Sequence, residues 1–182
     1  MDQEIIHKAL KGDLSSFDIL VTEHQDRWIR MAMSILGNQQ DALDAFQDGL
    51  INVYRSLKSF RQEATFSTWS ARVMLNAYLR HQKRLSSRRE RETNYGGFDT
   101  LERLADSKST DKDLMDRERT VALRNAIRRL PPRQQMAVTL KYDGQMTINQ
   151  VAESLNCTPG TVKRYLHRAM AKLRKDLKNY FK

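Results

Sequence analysis

Residues 130–177 read LPPRQQMAVTLKYDGQMTINQVAESLNCTPGTVKRYLHRAMAKLRKDL. Pro131-Pro132 ends one helical pattern and opens another, over Arg133 to about Tyr142. Thr147 then precedes Ile148, Val151, Ala152 and Leu155, apolar positions at helical spacing that a threonine in that place can cap. The tetrapeptide LNCT makes a turn. Thr158 caps the next helix, and Pro159 fits its first position, where the missing N–H leaves no hydrogen bond unmade. Val162, Leu166, Met170 or Ala169, and Leu173 form its inner stripe, which leaves Lys163, Arg164, His167 and Arg168 outside. The pattern predicts a helix-turn-helix whose second helix turns bases to solvent.

Such a helix suits DNA. The amides at its start can meet phosphate, and Lys163, Arg164 and Arg168 near that start can reach base edges in the major groove. Lys172, Arg174 and Lys175 fall further along, where they meet phosphate or water. A helical hairpin with a solvated basic face would show the same charges. The turn and the capped second helix favour DNA.

The rest of the chain is also helical. Three prolines and seven glycines in 182 residues are few, and apolar residues recur at helical spacing almost throughout. Leu14, Phe17, Val21, Trp28, Met31 and Ile35 alternate by three and four, with His24 in the seam, up to Gly37-Asn38. A second helix follows, with Ala42, Phe46, Val53 and Leu57 inward, and a polar loop spans Phe60 to Thr65. Thr65 or Ser67 caps a third long helix to about Leu85. From Ser86 to about Asp113 the pattern fails, and the charged, glycine-containing composition reads as a partly disordered linker. The expected fold class is all-α: a helical bundle over 1–86, a flexible linker over 87–113 and a helix-turn-helix domain over 114–182, beginning with a helix from about Leu114 to Leu130.

The net charge of +10 calls for a polyanionic partner, most simply nucleic acid. It is unevenly spread: residues 1–50 carry nine acids and four bases, whereas residues 163–182 carry eight bases and one acid. Within the acidic half, Asp41, Asp44 and Asp48 share one helical face, with Gln47 beside them. That face either serves solubility or meets a basic protein. On the third helix, Ala71, Leu75 and Tyr78 lie on one side and Arg72, Asn76, Arg80, Lys83 and Arg84 on the other. Phe66, Trp69 and Val73 fall toward the basic side, where aromatics stack on the bases of melted DNA or pack on neighbouring helices.

Cys157, the one cysteine, allows no internal disulfide and reads as a small buried residue. His7, His24, His81 and His167 lack metal-ligand spacing, so no metal is expected. No catalytic residues and no cofactor are expected either: there is no carboxylate pair in a pocket pattern, no glycine-rich phosphate loop and no nucleophile–base signature. No apolar run reaches membrane-spanning length and no signal peptide is visible, so a soluble cytoplasmic protein without membrane insertion is expected.

Three stretches together resemble one family. DALDAFQDGLINVYRSLKSF (41–60), TFSTWSARVMLNAYLRHQKR (65–84) and the 130–177 segment resemble bacterial RNA polymerase sigma factors of the extracytoplasmic-function, group IV type. The resemblance implies an initiation factor, not an enzyme. It would bind core RNA polymerase through the β′ clamp coiled coil, with Asp44, Gln47 and Asp48 in that contact. The loop Arg61–Thr68 and the helix after it would hold the −10 strand and help melt the promoter, through Trp69, Asn76 and Arg80. Lys163, Arg164, His167 and Arg168 align with positions that read the −35 element, and the linker would thread near the RNA exit path. An anti-sigma factor is a further implied partner. Leu43 departs from the family pattern where an acid is common, Gly49 lies inside a helix, and Tyr165 replaces a common base. By the same resemblance, no autoinhibitory N-terminal extension of the primary-sigma kind is expected. A helix-turn-helix regulator that binds duplex operators without polymerase is the alternative. It leaves the acidic face and the basic aromatic helix without a task. A helical interaction module that meets protein or membrane would show no sequence preference on DNA.

Overall fold

A computed structural model describes residues 2–94, 111–178 and 180, and within them every regular element is helical. The four N-terminal helices are α1 (Asp2–Leu10), α2 (Leu14–Leu36), α3 (Gln39–Ser56) and α4 (Phe66–Asn94). α5 (Asp111–Arg128), α6 (Pro132–Val138), α7 (Ile148–Ser154) and α8 (Pro159–Asp176) form the C-terminal unit.

Local chemistry sets the ends of these helices. Asp13 caps α2 by accepting the Ser16 N–H at 3.3 Å. Gly37 ends it at φ 74°, a left-handed turn that glycine adopts without strain, and donates its N–H to the Met33 carbonyl at 2.9 Å. Asn38 caps α3 through the Asp41 N–H. Of the two residues proposed to start the third long helix, Thr65 is the cap: its hydroxyl accepts the Thr68 N–H at 3.2 Å. Ser67 instead receives a hydrogen bond from Arg27 of α2.

α2, α3 and α4 enclose the main core, around Leu20, Trp28, Met31, Ile35, Val53 and Leu75. The Tyr78 hydroxyl donates to the Trp28 carbonyl at 3.0 Å, and burial pushes its phenol well above the ordinary value. His24 does lie in the seam, between Trp28 and Phe66.

Several elements differ from expectation. α1 was not foreseen; its Ile6 and Ala9 are buried on the bundle. α4 runs past the expected end near Leu85 to Asn94, and α5 starts at Asp111, so the pattern break assigned to a linker is helical at both margins. Residues 95–110, with the glycine pair and most of the supposed disorder, lie outside the described residues, as does the expected path past the RNA exit. α6 is shorter than expected and passes into a π-helical turn, Thr139–Asp143, closed by Gly144 N–H to the Thr139 carbonyl at 2.8 Å. A Cβ on Gly144 would come within 2.6 Å of the Leu140 carbonyl, so this turn excludes any side chain there.

In the C-terminal unit, Ala126, Ile127, Leu130, Val138, Ala169, Leu173 and Leu177 form a small cluster of their own. Leu140, Met146, Val151 and Ala152 instead join the cluster that contains Met31 and Ile35. α2 meets the π-helical turn and α5, and α4 meets α7, so the two units are packed together.

Candidate nucleic-acid interface

The helix-turn-helix forms as its residues dictate. Thr147 accepts the Gln150 N–H at 3.2 Å, and the Gln150 side chain accepts the Thr147 N–H at 2.9 Å, a complete capping box. Thr158 accepts the Thr161 N–H at 3.2 Å, with Pro159 in the first turn. Val162, Ala169 and Leu173 are buried; Leu166 and Met170 are half-buried beside them. Ala169 is thus the fully buried member of the two offered for the third position. Lys163, Arg164, His167 and Arg168 all stand exposed on one side of α8. Tyr165 is half-buried against the core, so it cannot stand in for a base on that face. Cys157 is half-buried in the turn.

On α4, Ala71, Leu75 and Tyr78 are buried, and Arg72, Asn76, Arg80, Lys83 and Arg84 are exposed, as the helical rotation requires. The aromatics divide. Phe66 is buried in a ring cluster with Phe60 and His24, so it packs and does not stack on bases. Trp69 is half-buried, 5.0 Å from Phe60 and 5.8 Å from Phe66 between ring centroids, with one part of the indole left at the surface. It lines a cleft with Arg61, Gln62, Glu63 and Arg72. Gln62 holds the loop in a left-handed conformation, φ 57°.

A second groove lies between the C-terminal halves of α3 and α4. Arg55, Arg80, Lys83, Arg84, Arg88 and Arg91 line it, together with Asp48. Arg55, Arg88 and Arg91 were missed as site candidates. Arg80, Arg84, Arg88 and Arg91 recur every three or four residues, a signal visible in the sequence but cut by the domain end assumed at 86.

The acidic face of α3 is less uniform than its sequence suggests. Asp44 and Gln47 are exposed, and Asp44 accepts a hydrogen bond from Gln40 at 3.2 Å. Asp48 is engaged by Arg84 at 2.8 Å and lies 3.9 Å from His81, which turns it toward α4. Leu43 and Ile51 stand 37% and 50% exposed, one turn either side of Gln47. Apolar side chains framed by acids on a helix surface mark a protein contact better than acids alone.

Residues 20–88 match the family model for Sigma-70 region 2, and residues 120–173 that for Sigma-70 region 4. The chain is 30% identical over 172 residues to the ECF RNA polymerase sigma factor SigM of Mycobacterium tuberculosis, covering 94% of this chain and 82% of that protein. It is 26% identical over 183 residues to the ECF sigma factor SigW of Bacillus subtilis, covering 98% of each. Among solved structures, CnrH in complex with the cytosolic domain of CnrY superposes with a TM-score of 0.73 at 19% identity, over 97% of each chain. The sigma factor RpoE, solved with the anti-sigma factor NepR from Bartonella quintana, superposes with a TM-score of 0.64 at 21% identity, over 90% of this chain and 97% of that one. The two helical units, one bearing a basic helix-turn-helix, are those of an RNA polymerase sigma factor. The chain belongs to the ECF family of these factors, which are promoter-specific initiation factors and not enzymes. Among the described residues no helix is long and apolar enough to cross a membrane.

Proposed function

We propose that the chain directs polymerase to promoters by reading two elements, one with each unit. α8 enters the major groove of the −35 element, with Lys163, Arg164, His167 and Arg168 toward the bases. The cleft of Arg61–Thr68 and Trp69 takes the −10 strand, while Asn76 and Arg80 follow its path along α4. The basic groove beyond Arg80 continues that path along phosphates. Asp44 and Gln47, flanked by Leu43 and Ile51, form the face for the β′ clamp coiled coil. Asp48 belongs to this contact as the neighbour that holds Arg84. An anti-sigma factor is the regulator this reading implies.

The observation that carries the reading is the capped α7–α8 pair with four exposed polar side chains on one face of α8. The test adds the protein to sigma-free bacterial core polymerase with a library of upstream DNA and maps transcript starts. Starts that share two spaced elements are expected. Tight binding to one duplex without polymerase, and no factor-dependent starts, would overturn the proposal.

A further inference from the structure

The groove between α3 and α4 is a recess of about 830 Å³, a size that suits a small-molecule site, for which roughly 300–1,000 Å³ is usual. Arg55, Arg80, Lys83, Arg84, Arg88 and Arg91 line it against a single carboxylate, Asp48. That carboxylate is already engaged by Arg84 at 2.8 Å. The recess therefore carries a large excess of positive charge, and a concave wall focuses that field more than a flat surface does.

The lining changes along the groove. Gly49 of α3 packs on Met74 and Tyr78, which sets the residues after it beside the Ala77 end. There the lining is Ile51, Asn52 and Ala77, an apolar floor with one amide. Asn52 is half-buried, Ala77 is buried, and Arg55 and Arg80 stand exposed beside them. At the other end, about 21 Å along α4 at about 1.5 Å per residue, the lining is Ser87, Arg88 and Arg91.

A sugar–phosphate backbone calls for cations and hydroxyls alone. An apolar floor beside an amide and guanidiniums is what a base takes. Its face packs on Ile51 and Ala77, the plane of Arg55 or Arg80 stacks on it, and Asn52 bonds its edge. Among base edges, the donor–acceptor pair of adenine is the one an asparagine amide matches with two hydrogen bonds. Phosphates attached to that base then run toward Ser87, Arg88 and Arg91, where guanidinium forks grip phosphate oxygens in pairs.

We propose that this groove seats a free nucleoside triphosphate, with adenine at the Ile51–Asn52–Ala77 end and the phosphate chain along the cations of α4. The seat is a binding site alone and performs no chemistry. It goes beyond the strand path proposed for the same groove and does not depend on it. A nucleotide held there would share Arg80 with that strand, so the two occupants exclude each other.

Isothermal titration calorimetry on the whole chain, without polymerase or DNA, reads the seat directly. Adenosine triphosphate should bind once per chain, about tenfold more tightly than cytidine triphosphate or inorganic tripolyphosphate. Lys83→Ala and Arg91→Ala should each weaken both adenosine triphosphate and tripolyphosphate about tenfold. Both side chains are exposed, and far-UV circular dichroism checks that each variant keeps its helices. Asn52→Leu should erase the preference for adenosine over cytidine triphosphate and leave tripolyphosphate binding as it was. Lys11→Ala, exposed between α1 and α2, should change none of these affinities. Equal affinity for all three probes would overturn the seat for a base. Binding that survives both cation variants would put the nucleotide elsewhere and overturn the site, as would the absence of binding heat at millimolar nucleotide. Transcript mapping is independent of these titrations. Absent starts would overturn the initiation reading and leave the seat standing, whereas failed titrations beside normal starts would overturn the seat alone.

Discussion

Gly49 lies inside α3 where a Cβ would meet the Met74 sulfur at 2.7 Å. The residue looked out of place in the sequence because glycine is a poor helix former; its reason lies on another helix. Gly49→Ala is expected to lower stability by about 1–2 kcal/mol, overpacking outweighing the gain in helix propensity. In a Met74→Ala background the same change should be neutral or stabilising, and a double-mutant cycle by urea unfolding would show it. Leu43 was likewise a departure from pattern, and its exposure beside Asp44 gives it a place in a protein contact. Asp44→Lys should abolish polymerase binding while the helical circular dichroism stays as it was; unchanged affinity would remove the clamp assignment. Asp48→Lys is a less clean probe, because it also frees Arg84. Arg164→Ala or Arg168→Ala should cost about 1–3 kcal/mol on the preferred upstream element. Equal losses on unrelated duplexes would mean phosphate contact.

Elements that satisfy their own termini were the ones legible in the sequence. Asp13, Asn38, Thr147 and Thr158 each bond the amide three residues on, so these helices announce where they start. Thr158→Ala should cost about 1 kcal/mol and loosen the start of the reading helix, seen as faster amide exchange over Pro159–Val162. The elements that were misread lack such signals. α1 has a stripe of only a few residues and is held by the bundle, which no local pattern reports. The end of α4 carries the charged run Arg88 to Glu92, and a charged run reads alike as linker or solvated helix. The π-helical turn depends on Gly144 leaving room for the Leu140 carbonyl, a three-dimensional constraint without periodicity. The candidate residues on α4 and α8 were recoverable because rotation by helical periodicity separates buried from exposed positions. The pairing of Asp48 with Arg84, 36 positions away, was not.

At the scale of the whole molecule, charge governs affinity and packing governs how the chain unfolds. With a net charge of +10, promoter binding by the holoenzyme's sigma contacts should weaken steeply with salt, by about 0.9 in log–log slope for each phosphate neutralised. Acidity should act through Asp143. Burial raises its carboxyl above the ordinary value near 3.8 against a hydrogen bond from Ser34 and the charges of Arg30 and Arg124. The folded chain, with Asp143 buried, therefore holds the proton more tightly than the unfolded one. Its stabilisation by that proton is complete at low pH and is lost as pH rises through the raised value. Compared by urea unfolding from about pH 4 to about pH 7, the chain should lose stability relative to its Asp143→Asn variant on the alkaline side. The apolar cluster that passes from Met31 and Ile35 to Leu140 and Val151 has one more consequence, for heat. Two units sharing a core melt as one: the calorimetric enthalpy of the free chain should equal the van't Hoff value for a single transition. Asp143→Arg should split that peak in two, so that a scanning calorimeter counts the folding units of this chain by whether its halves are engaged.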